Sequence, residues 1–390
     1  MLFKLFFAFF IFNIFFNEGI NNEETRNKRA IRKRYKYNYT IPIKYYVEVT
    51  KESLLIDNVF KRLSILTCLK FKSMSSKFSD KGLLFKSSKY NEVHDNLQFN
   101  EPTRILLNNN CSQNYGCIAH LVSLGLGLIP NHNRWNRDKY VKILDKNLND
   151  EGEIMYRKVK GKDIQIMNTG FDFGSISNYD PLEGSKNGKP TYKSKLHVMY
   201  NKMLGQREEF SHNDIKLLND YYCSGKCPNK VKGCANGGYP DPIHCGRCRC
   251  PRGYSGKLCM NIKKSDKGCG RNILIATPKS MTLKVNGRRN CYYLIFSKPG
   301  TKIELNVLEV KTREAKKCVA ESSLEIRNRY DKGTSGLSLC GSYKNIEIKG
   351  KFSQVFISYT GLNDKNYAII QYKVAVKKTK TNNETNDYID

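Results

Sequence analysis

The last third of the chain alternates apolar and polar residues in short runs that Gly, Pro and Asn separate. Such alternation places every second side chain on the same face of an extended strand, and the separating residues favour turns. The runs with this pattern are 281–285, 302–307, 345–348 and 355–359. They predict an antiparallel β-sandwich between Cys269 and about Val376.

A second apolar pattern lies at the start of the chain, where residues 1–17 are almost entirely apolar apart from Lys4. This run is shorter than the ~20 residues that a helix needs to cross a bilayer. It is typical of a secretory signal peptide, placed at 1–19, with an uncleaved anchor as the alternative. No later run is apolar for long enough to span a membrane, so the sequence predicts a secreted, extracellular protein.

Charge is the most prominent feature of the composition, since 67 Lys and Arg face 36 Asp and Glu, for a net charge of +31 over 390 residues. A basic excess suits an anionic partner such as nucleic acid, a membrane surface or a sulfated glycan. Solvated lysines from A/T-rich codons are the favoured explanation of the excess, and expected secretion argues against nucleic acid. The mean hydropathy of −0.57 excludes a multi-span membrane protein, and 39% hydrophobic residues are too many for a disordered chain.

Basic residues concentrate between Arg26 and Arg34, directly after the expected signal peptide. The Arg-x-Lys-Arg sequence that ends at Arg29 predicts either a proprotein-convertase site, which would release a propeptide at 20–29, or an exposed charged linker. Sequons for N-glycosylation are present at Asn38 and Asn383, with a third at Asn110.

Fourteen cysteines in an expected secreted chain predict disulfides rather than metal clusters. Six of them lie within 227–259, where too few apolar side chains are present to form a core without covalent links. With Cys248-x-Cys250 and Gly253-Tyr254-Ser255-Gly256 before the last cysteine, segment 224–262 resembles an epidermal-growth-factor-like (EGF-like) module. The resemblance implies the disulfides Cys227–Cys245, Cys234–Cys248 and Cys250–Cys259. The acidic residues of calcium-binding modules of this type are missing, so no calcium is expected there.

The predicted all-β sandwich resembles a CUB domain, placed at 265–378 and followed by a tail at 379–390. The similarity rests on Leu324-Glu325-Ile326 before Leu339-Cys340-Gly341, together with two local disulfides, Cys269–Cys291 and Cys318–Cys340. Ser322 and Ser323 stand where a calcium-binding CUB domain carries an acid, so no calcium is expected here either.

Segment 116–143 is similar to the zinc-binding stretch of the astacin family of secreted metzincin metalloendopeptidases, which often continue into EGF-like and CUB modules. In that family a helix carries HExxHxxGxxHE, in which three His bind zinc, the Gly turns the chain and the first Glu activates the zinc-bound water. His120 matches the first ligand and Gly127 matches the turn glycine. The other positions of the motif hold Leu121 for the catalytic Glu, Leu124 and Pro130 for the second and third His, and Asn131 for the last acid.

Further segments extend the astacin resemblance to an α+β domain at 30–223. Residues 170–179 resemble the Met-turn, with Ser177 at the methionine position and Tyr179 at the tyrosine that can add a zinc ligand. Residues 41–43 and 67–71 resemble the first strands. The family's long-range disulfide maps to Cys68–Cys223, which leaves Cys111 and Cys117 to each other.

A lone imidazole does not hold Zn²⁺, because structural and catalytic sites use three or four protein ligands. His132 lies 12 residues after His120, and Pro130 interrupts the helix between them. We therefore expect His132 to face away from His120. A rescued site of His120, His132 and Tyr179 is therefore not expected. Because Leu121 leaves no general base and its neighbours in the helix are also apolar, a closed, packed core is expected instead.

The leading hypothesis is a secreted, catalytically inactive astacin homologue, a pseudoprotease with no catalytic residues and no zinc or other cofactor. Its EGF-like and CUB modules would contact an extracellular protein or a matrix or glycan partner, and the old substrate cleft could hold a peptide. One alternative is an active zinc metalloendopeptidase with displaced ligands. Another is a basic matrix- or glycan-binding protein that uses lysine pairs such as Lys263–Lys264 or Lys316–Lys317.

Overall fold

The computed structural model describes residues 29–32, 39–48, 53–95, 100–159, 164–167 and 169–376. The expected signal peptide, the expected propeptide up to residue 28, the sequons at Asn38 and Asn383, and the tail from 379 lie outside these residues. Asn110 of the third sequon is exposed, whereas Ser112 of the same sequon is buried. Within the described residues, no helix is long and apolar enough to cross a membrane.

The N-terminal domain begins with strand β1 (Arg29–Arg32) and a five-stranded sheet in the order β3-β2-β4-β6-β5. The strands of this sheet are β2 (Ile43–Val47), β3 (Phe71–Ser73), β4 (Leu83–Ser87), β5 (Glu92–His94) and β6 (Thr103–Leu107). Only β5 runs antiparallel to its neighbour. The first strands begin later than the segments 41–43 and 67–71 that resemble them, because β2 starts only at Ile43 and β3 only at Phe71.

Helix α1 (Ser53–Leu66) makes the crossover between the parallel strands β2 and β3. Its buried side chains recur at helical spacing, which gives the helix one apolar face toward the sheet. These side chains are Ile56, Val59, Phe60 and Leu63. Phe60 stacks on Phe71 with ring centroids 4.1 Å apart, which fixes the helix on the sheet.

Helices α2 (Asn109–Ser112) and α3 (Tyr115–Gly125) follow β6 directly. Each begins at an Asn cap, because the side chains of Asn108 and Asn114 accept hydrogen bonds from the backbone N–H three residues further on. The Cys111–Cys117 disulfide joins the two helices. Helix α3 is apolar on nearly all sides, which fits its position inside the domain.

The second half of the domain contains little regular structure. It consists of β7 (Val141–Ile143), α4 (Asp150–Met155), β8 (Ile164–Met167), β9 (Tyr192–Ser194) and α5 (His212–Tyr222). β1 pairs with β8 and β7 pairs with β9, both antiparallel. Helix α5 begins with a capping box between Ser211 and Asp214, and the Cys68–Cys223 disulfide ties its end to the end of α1.

The cysteine-rich segment that follows contains two short hairpins. β10 (Tyr239–Pro240) pairs with β11 (Cys248–Arg249), and β12 (Tyr254–Ser255) pairs with β13 (Asn261–Ile262). The structure contains seven disulfides, which join the same partners as the pairs named above and leave no free cysteine among the described residues. The EGF-like identity of this segment stays a prediction.

The C-terminal domain is a sandwich of two sheets, in the orders β14-β16-β21-β18-β19 and β15-β22-β17-β20. Its strands are β14 (Ile273–Ile275), β15 (Met281–Asn286), β16 (Asn290–Phe296), β17 (Ile303–Lys311), β18 (Leu324–Arg327), β19 (Leu337–Leu339), β20 (Ser342–Ile348), β21 (Gln354–Thr360) and β22 (Tyr367–Val374). All described pairs are antiparallel except β14 with β16. The four alternating runs of the sequence lie in β15, β17, β20 and β21, except that Lys302 precedes β17.

The two domains share one hydrophobic cluster. Phe173, Tyr200 and Met203 of the N-terminal domain belong to the same buried cluster as Leu337 and Leu339 of the sandwich. Lys317 extends from the sandwich to Asp180 at 2.8 Å. The sandwich therefore packs directly on the half of the N-terminal domain that contains the candidate site.

Candidate functional site

Helix α3 and the turn after it place the first candidate residue, His120. The helix ends at Gly125, and Gly127 has a φ of 93°, a backbone conformation that glycine adopts without steric cost. The chain turns at this glycine and continues into a short 3₁₀ helix (Asn131–Asn133), whose middle residue is His132. The turn therefore decides where His132 lies.

His120 is buried, and its Nδ1 lies 2.7 Å from the backbone oxygen of Ile176. Because a carbonyl only accepts hydrogen bonds, Nδ1 carries the proton and donates it. Burial and then the nearby Arg207 guanidinium hold the pKa of His120 well below its usual value, so the ring is neutral. Its Nε2 therefore has a free lone pair, which is the arrangement of a metal-binding imidazole.

His132 is completely buried, and neither of its ring nitrogens has a hydrogen-bond partner among the described residues. Three tyrosine rings surround it, with centroids 4.8 Å away for Tyr179 and 5.0 Å away for both Tyr156 and Tyr192. Burial, then the charges of Arg137 and Arg207, hold the pKa of His132 well below its usual value. It is thus a neutral imidazole whose polar atoms are unsatisfied.

Tyr179 connects the two histidines. Its ring centroid lies 5.8 Å from that of His120 and 4.8 Å from that of His132. The expectation that His132 faces away from His120 is therefore wrong, because it extrapolated helical geometry past Gly127, where the chain turns back. The structure brings His120, His132 and Tyr179 to one place.

A catalytic zinc site of the kind that the astacin resemblance implies does not fit these residues. Within the described ranges, no three His, Cys, Asp or Glu side chains gather closely enough to hold a metal ion. Leu121, at the position of the catalytic Glu, is only 4% exposed and belongs to the hydrophobic core of the domain. Pro130, at the third His position, is also buried and offers no metal-binding side chain.

Local electrostatics also oppose a dication. The Arg207 guanidinium donates to the backbone oxygens of Asn178 at 2.8 Å and Ile176 at 3.4 Å, the latter shared with His120. A fixed positive charge this close to both imidazoles repels a divalent cation at low local dielectric. The carboxylate that faces Arg207 is Glu183, with Oε1 3.3 Å from the guanidinium.

Glu183 is a residue that sequence reasoning missed. Its backbone oxygen accepts a hydrogen bond from Tyr156, and desolvation raises the pKa of its carboxyl although Arg207 opposes the shift. Tyr156 and Tyr192 were also missed, and both line the pocket of His132. No local sequence pattern identifies any of these three residues, because the two tyrosines approach His132, and Glu183 approaches Tyr156, only in the tertiary structure.

The segment that resembles the Met-turn, which has Ser177 in place of methionine, is held by hydrogen bonds. Ser177 lies 2.8 Å from Ser175 through their hydroxyls, and Ser175 donates to Asp214 at 2.5 Å. The other oxygen of Asp214 accepts the backbone N–H of Ile176 at 2.9 Å. Asp214 thus caps α5 and also anchors the backbone that holds His120.

These features together form the scaffold of a zinc metallopeptidase, here joined to a β-sandwich: a mostly parallel sheet with its helices, the turn at Gly127, and a histidine next to a tyrosine. The chain belongs to the astacin family of peptidases, whose family model matches residues 29–223. A CUB-domain model matches residues 275–371.

Several curated proteins are similar to the chain. Zinc metalloproteinase nas-34 of Caenorhabditis elegans is 27% identical over 352 residues, which cover 88% of this chain and 57% of that protein. Zinc metalloproteinase dpy-31 of Brugia malayi is 28% identical over 306 residues, 74% of this chain and 50% of that protein. The chain spans about half the length of these curated relatives.

Among solved structures, high choriolytic enzyme 1, a hatching-enzyme zinc protease from the medaka fish Oryzias latipes, aligns with a TM-score of 0.42 and 20% identity. The alignment covers 50% of this chain and 100% of that one.

Proposed function

We propose that this chain is a catalytically inactive astacin-family protein that keeps the peptidase scaffold as an extracellular binding or structural unit. Proteins built from astacin and CUB domains are typically extracellular. The observation that carries the proposal is the buried, apolar Leu121 at the position where the reaction needs a carboxylate. The EGF-like and CUB modules would supply the extracellular contacts.

The chemistry supports this proposal in two ways. Peptide hydrolysis by zinc needs a metal-bound water and a general base beside it. The two imidazoles come without a carboxylate ligand, and Arg207 adds a positive charge next to them. The carboxylate of Glu183 forms an ion pair with Arg207, so its negative charge is not directed at the two histidines.

An active zinc metalloendopeptidase with displaced ligands is the second candidate. It is favoured by the meeting of His120, His132 and Tyr179 and by the unpaired nitrogens of His132. In that case Glu183 would be the candidate general base, because it is the carboxylate next to the tyrosines of the pocket.

Metal analysis and a cleavage assay on the purified protein separate the two candidates. We expect less than ~0.1 zinc per chain after dialysis against micromolar Zn²⁺, because a stable site uses three or four protein ligands. We also expect no chelator-sensitive cleavage of a peptide library. One zinc per chain, with cleavage that stops on addition of chelator and in a His132→Ala variant, would establish the enzyme and overturn the proposal.

The substitution Leu121→Glu tests whether catalysis fails only for lack of a base. We expect no gain of cleavage, and a loss of stability of about 3 kcal/mol, because an ionisable side chain replaces an apolar one in the core. Urea unfolding and the cleavage assay provide the two readouts, with Leu121→Met as the matched control of similar volume. Cleavage by the Leu121→Glu variant would contradict the expectation.

A further inference from the structure

The cysteine-rich segment contains an open groove with a volume of about 550 Å³. Residues from three pieces of chain line it, namely Asp241, Arg247, Cys248, Arg249, Cys250, Gly256 and Lys257. Arg247 directly precedes strand β11 and Arg249 ends it, and both side chains reach the same carboxylate, that of Asp241. A hydrogen bond from Cys248 N to Lys257 O brings Lys257 beside them.

The charge of this groove, which we call the β11 groove, is positive. Three cations face one carboxylate, so two positive charges are in excess (3 − 1). The carboxylate of Asp241 is 3% exposed and forms ion pairs with Arg247 at 3.4 Å and with Arg249 at 3.9 Å, so it neutralises part of the charge of the two arginines. The Arg247 side chain is 57% exposed, and Lys257, also exposed, forms no ion pair within the described residues.

Arg249 adds a guanidinium whose side chain is mostly buried, at 20% exposed. One of its terminal nitrogens donates to Ile65 O at 3.3 Å, at the end of α1, and its Nε has no hydrogen-bond partner among the described residues. The N–H groups of guanidinium suit the planar or tetrahedral oxygens of carboxylate and sulfate.

We propose that the β11 groove binds the sulfate and carboxylate groups of an extracellular sulfated polysaccharide. Positions i and i+2 of a strand lie roughly 7 Å apart, so the two arginines and Lys257 meet anions that repeat along a chain better than one isolated anion. The net charge of +31 steers a polyanion toward the protein. The inference gives a ligand class to the binding role proposed above and does not depend on the loss of catalysis.

The lysine pairs that the sequence suggested differ from this groove. Lys317 is occupied, since its Nζ lies 2.8 Å from Asp180 and 2.5 Å from Leu204 O. Lys263 and Lys264 are exposed and do not line the groove. They therefore provide a control of equal charge near the same segment.

Binding to immobilised heparin tests the proposal, measured on the whole chain at about 0.15 M salt. The test variant is Arg247→Gln with Lys257→Gln, which spares the contact of Arg249 with α1. The control is Lys263→Gln with Lys264→Gln. We expect the test variant to bind about tenfold more weakly and the control to change by less than about twofold, because charged contacts at a defined site exceed the effect of dispersed charge.

Two further probes identify the ligand chemistry. Desulfated heparin lacks the sulfate groups, and poly-glutamate lacks the sugar chain. Each should therefore bind at least about tenfold more weakly than heparin. Absence of heparin binding by the wild-type chain, equal weakening in both variants, or equal binding of poly-glutamate would each overturn the proposal. None of these results depends on zinc or cleavage, so failure here is distinguishable from failure of the proposed inactivity.

Discussion

At the scale of single residues, His132 is the most unusual side chain of the candidate site. A buried polar atom without a partner costs about 1–3 kcal/mol, and both nitrogens of His132 lack one within the described part of the chain. The three tyrosine rings pack against this imidazole without hydrogen-bonding to it. Such a group is either a tolerated remnant of the scaffold or a ligand for a metal or water.

The substitution His132→Phe distinguishes these two roles. If His132 only fills the pocket, Phe should leave stability unchanged or raise it by about 1 kcal/mol, because the ring is retained and the unsatisfied nitrogens are removed. Urea unfolding with and without added Zn²⁺ measures the effect, and His132→Ala provides the cavity-forming control. A zinc-dependent loss of stability in the Phe variant would show that His132 binds metal.

Stability should also depend on pH through His120 and His132. Both have a pKa well below the usual 6.5, so below about pH 6.5 the unfolded chain binds protons that the folded protein cannot. The free energy of unfolding should fall as the pH decreases from 7 to 5, by up to about 1.4 kcal/mol per pH unit for each histidine, and should not change above pH 7 through these groups.

Urea unfolding at pH 5, 6 and 7 measures this dependence. The His132→Phe variant should show about half of the slope attributable to the two histidines, because one titrating group is removed. Equal stability at pH 5 and 7 would contradict the lowered pKa of both histidines, and an unchanged slope in the variant would contradict that of His132.

At the scale of secondary-structure elements, helix α3 decides the geometry of the site. Its first turn packs against the chain at Arg207, with Gly116 at the point of contact. A Cβ built on Gly116 would lie 1.5 Å from the backbone oxygen of Arg207. Helix α3 can therefore approach the backbone at Arg207 this closely only because residue 116 has no side chain.

We expect Gly116→Ala to destabilise the protein by about 2 kcal/mol despite the higher helix propensity of Ala, because backbone atoms must move to accept the methyl group. Thermal or urea unfolding measures the change. Gly225→Ala is the matched control, since no atom lies within 4 Å of a Cβ at that position. Equal stability of both variants would contradict the close approach of α3 to Arg207.

At the scale of the whole molecule, three parts of the chain meet at Asp331. Its carboxylate accepts hydrogen bonds from Gly170 N at 2.7 Å, Asn213 Nδ2 at 3.0 Å and Gly333 N at 2.8 Å. Gly237 of the cysteine-rich segment contacts Gly333, where a Cβ on Gly237 would lie 2.2 Å from the backbone nitrogen. The N-terminal domain, the cysteine-rich segment and the sandwich are thus packed together at one point.

Because the hydrophobic cluster also crosses between the domains, we expect the wild-type protein to unfold in one calorimetric transition. Asp331→Ala should lower stability by about 3 kcal/mol or split the transition, since it removes hydrogen bonds to a charged group. The exposed Asp364→Ala is the control. Separate transitions for the two domains of the wild-type protein would contradict a single folding unit.

Much of this protein is determined by local sequence. Alternation of apolar residues predicts the strands of the sandwich, helical spacing accounts for α1, and residue identity alone shows which ligands are replaced at Leu121, Leu124 and Pro130. These features depend on neighbours within a few residues, so their physical causes can be read directly from the chain. The same reasoning starts the strand at Phe71 too early, because residues 67–70 form the connection after α1.

The tertiary structure alone decided which residues meet. His132 reaches Tyr179 because a glycine turn cancels the helical extrapolation, and Glu183 reaches Arg207 across 24 positions. The β11 groove likewise needs the backbone pairing that places Lys257 beside Arg247. Contacts of this kind depend on the packing of distant segments around a common core, and that packing is a property of the whole chain rather than of any local pattern.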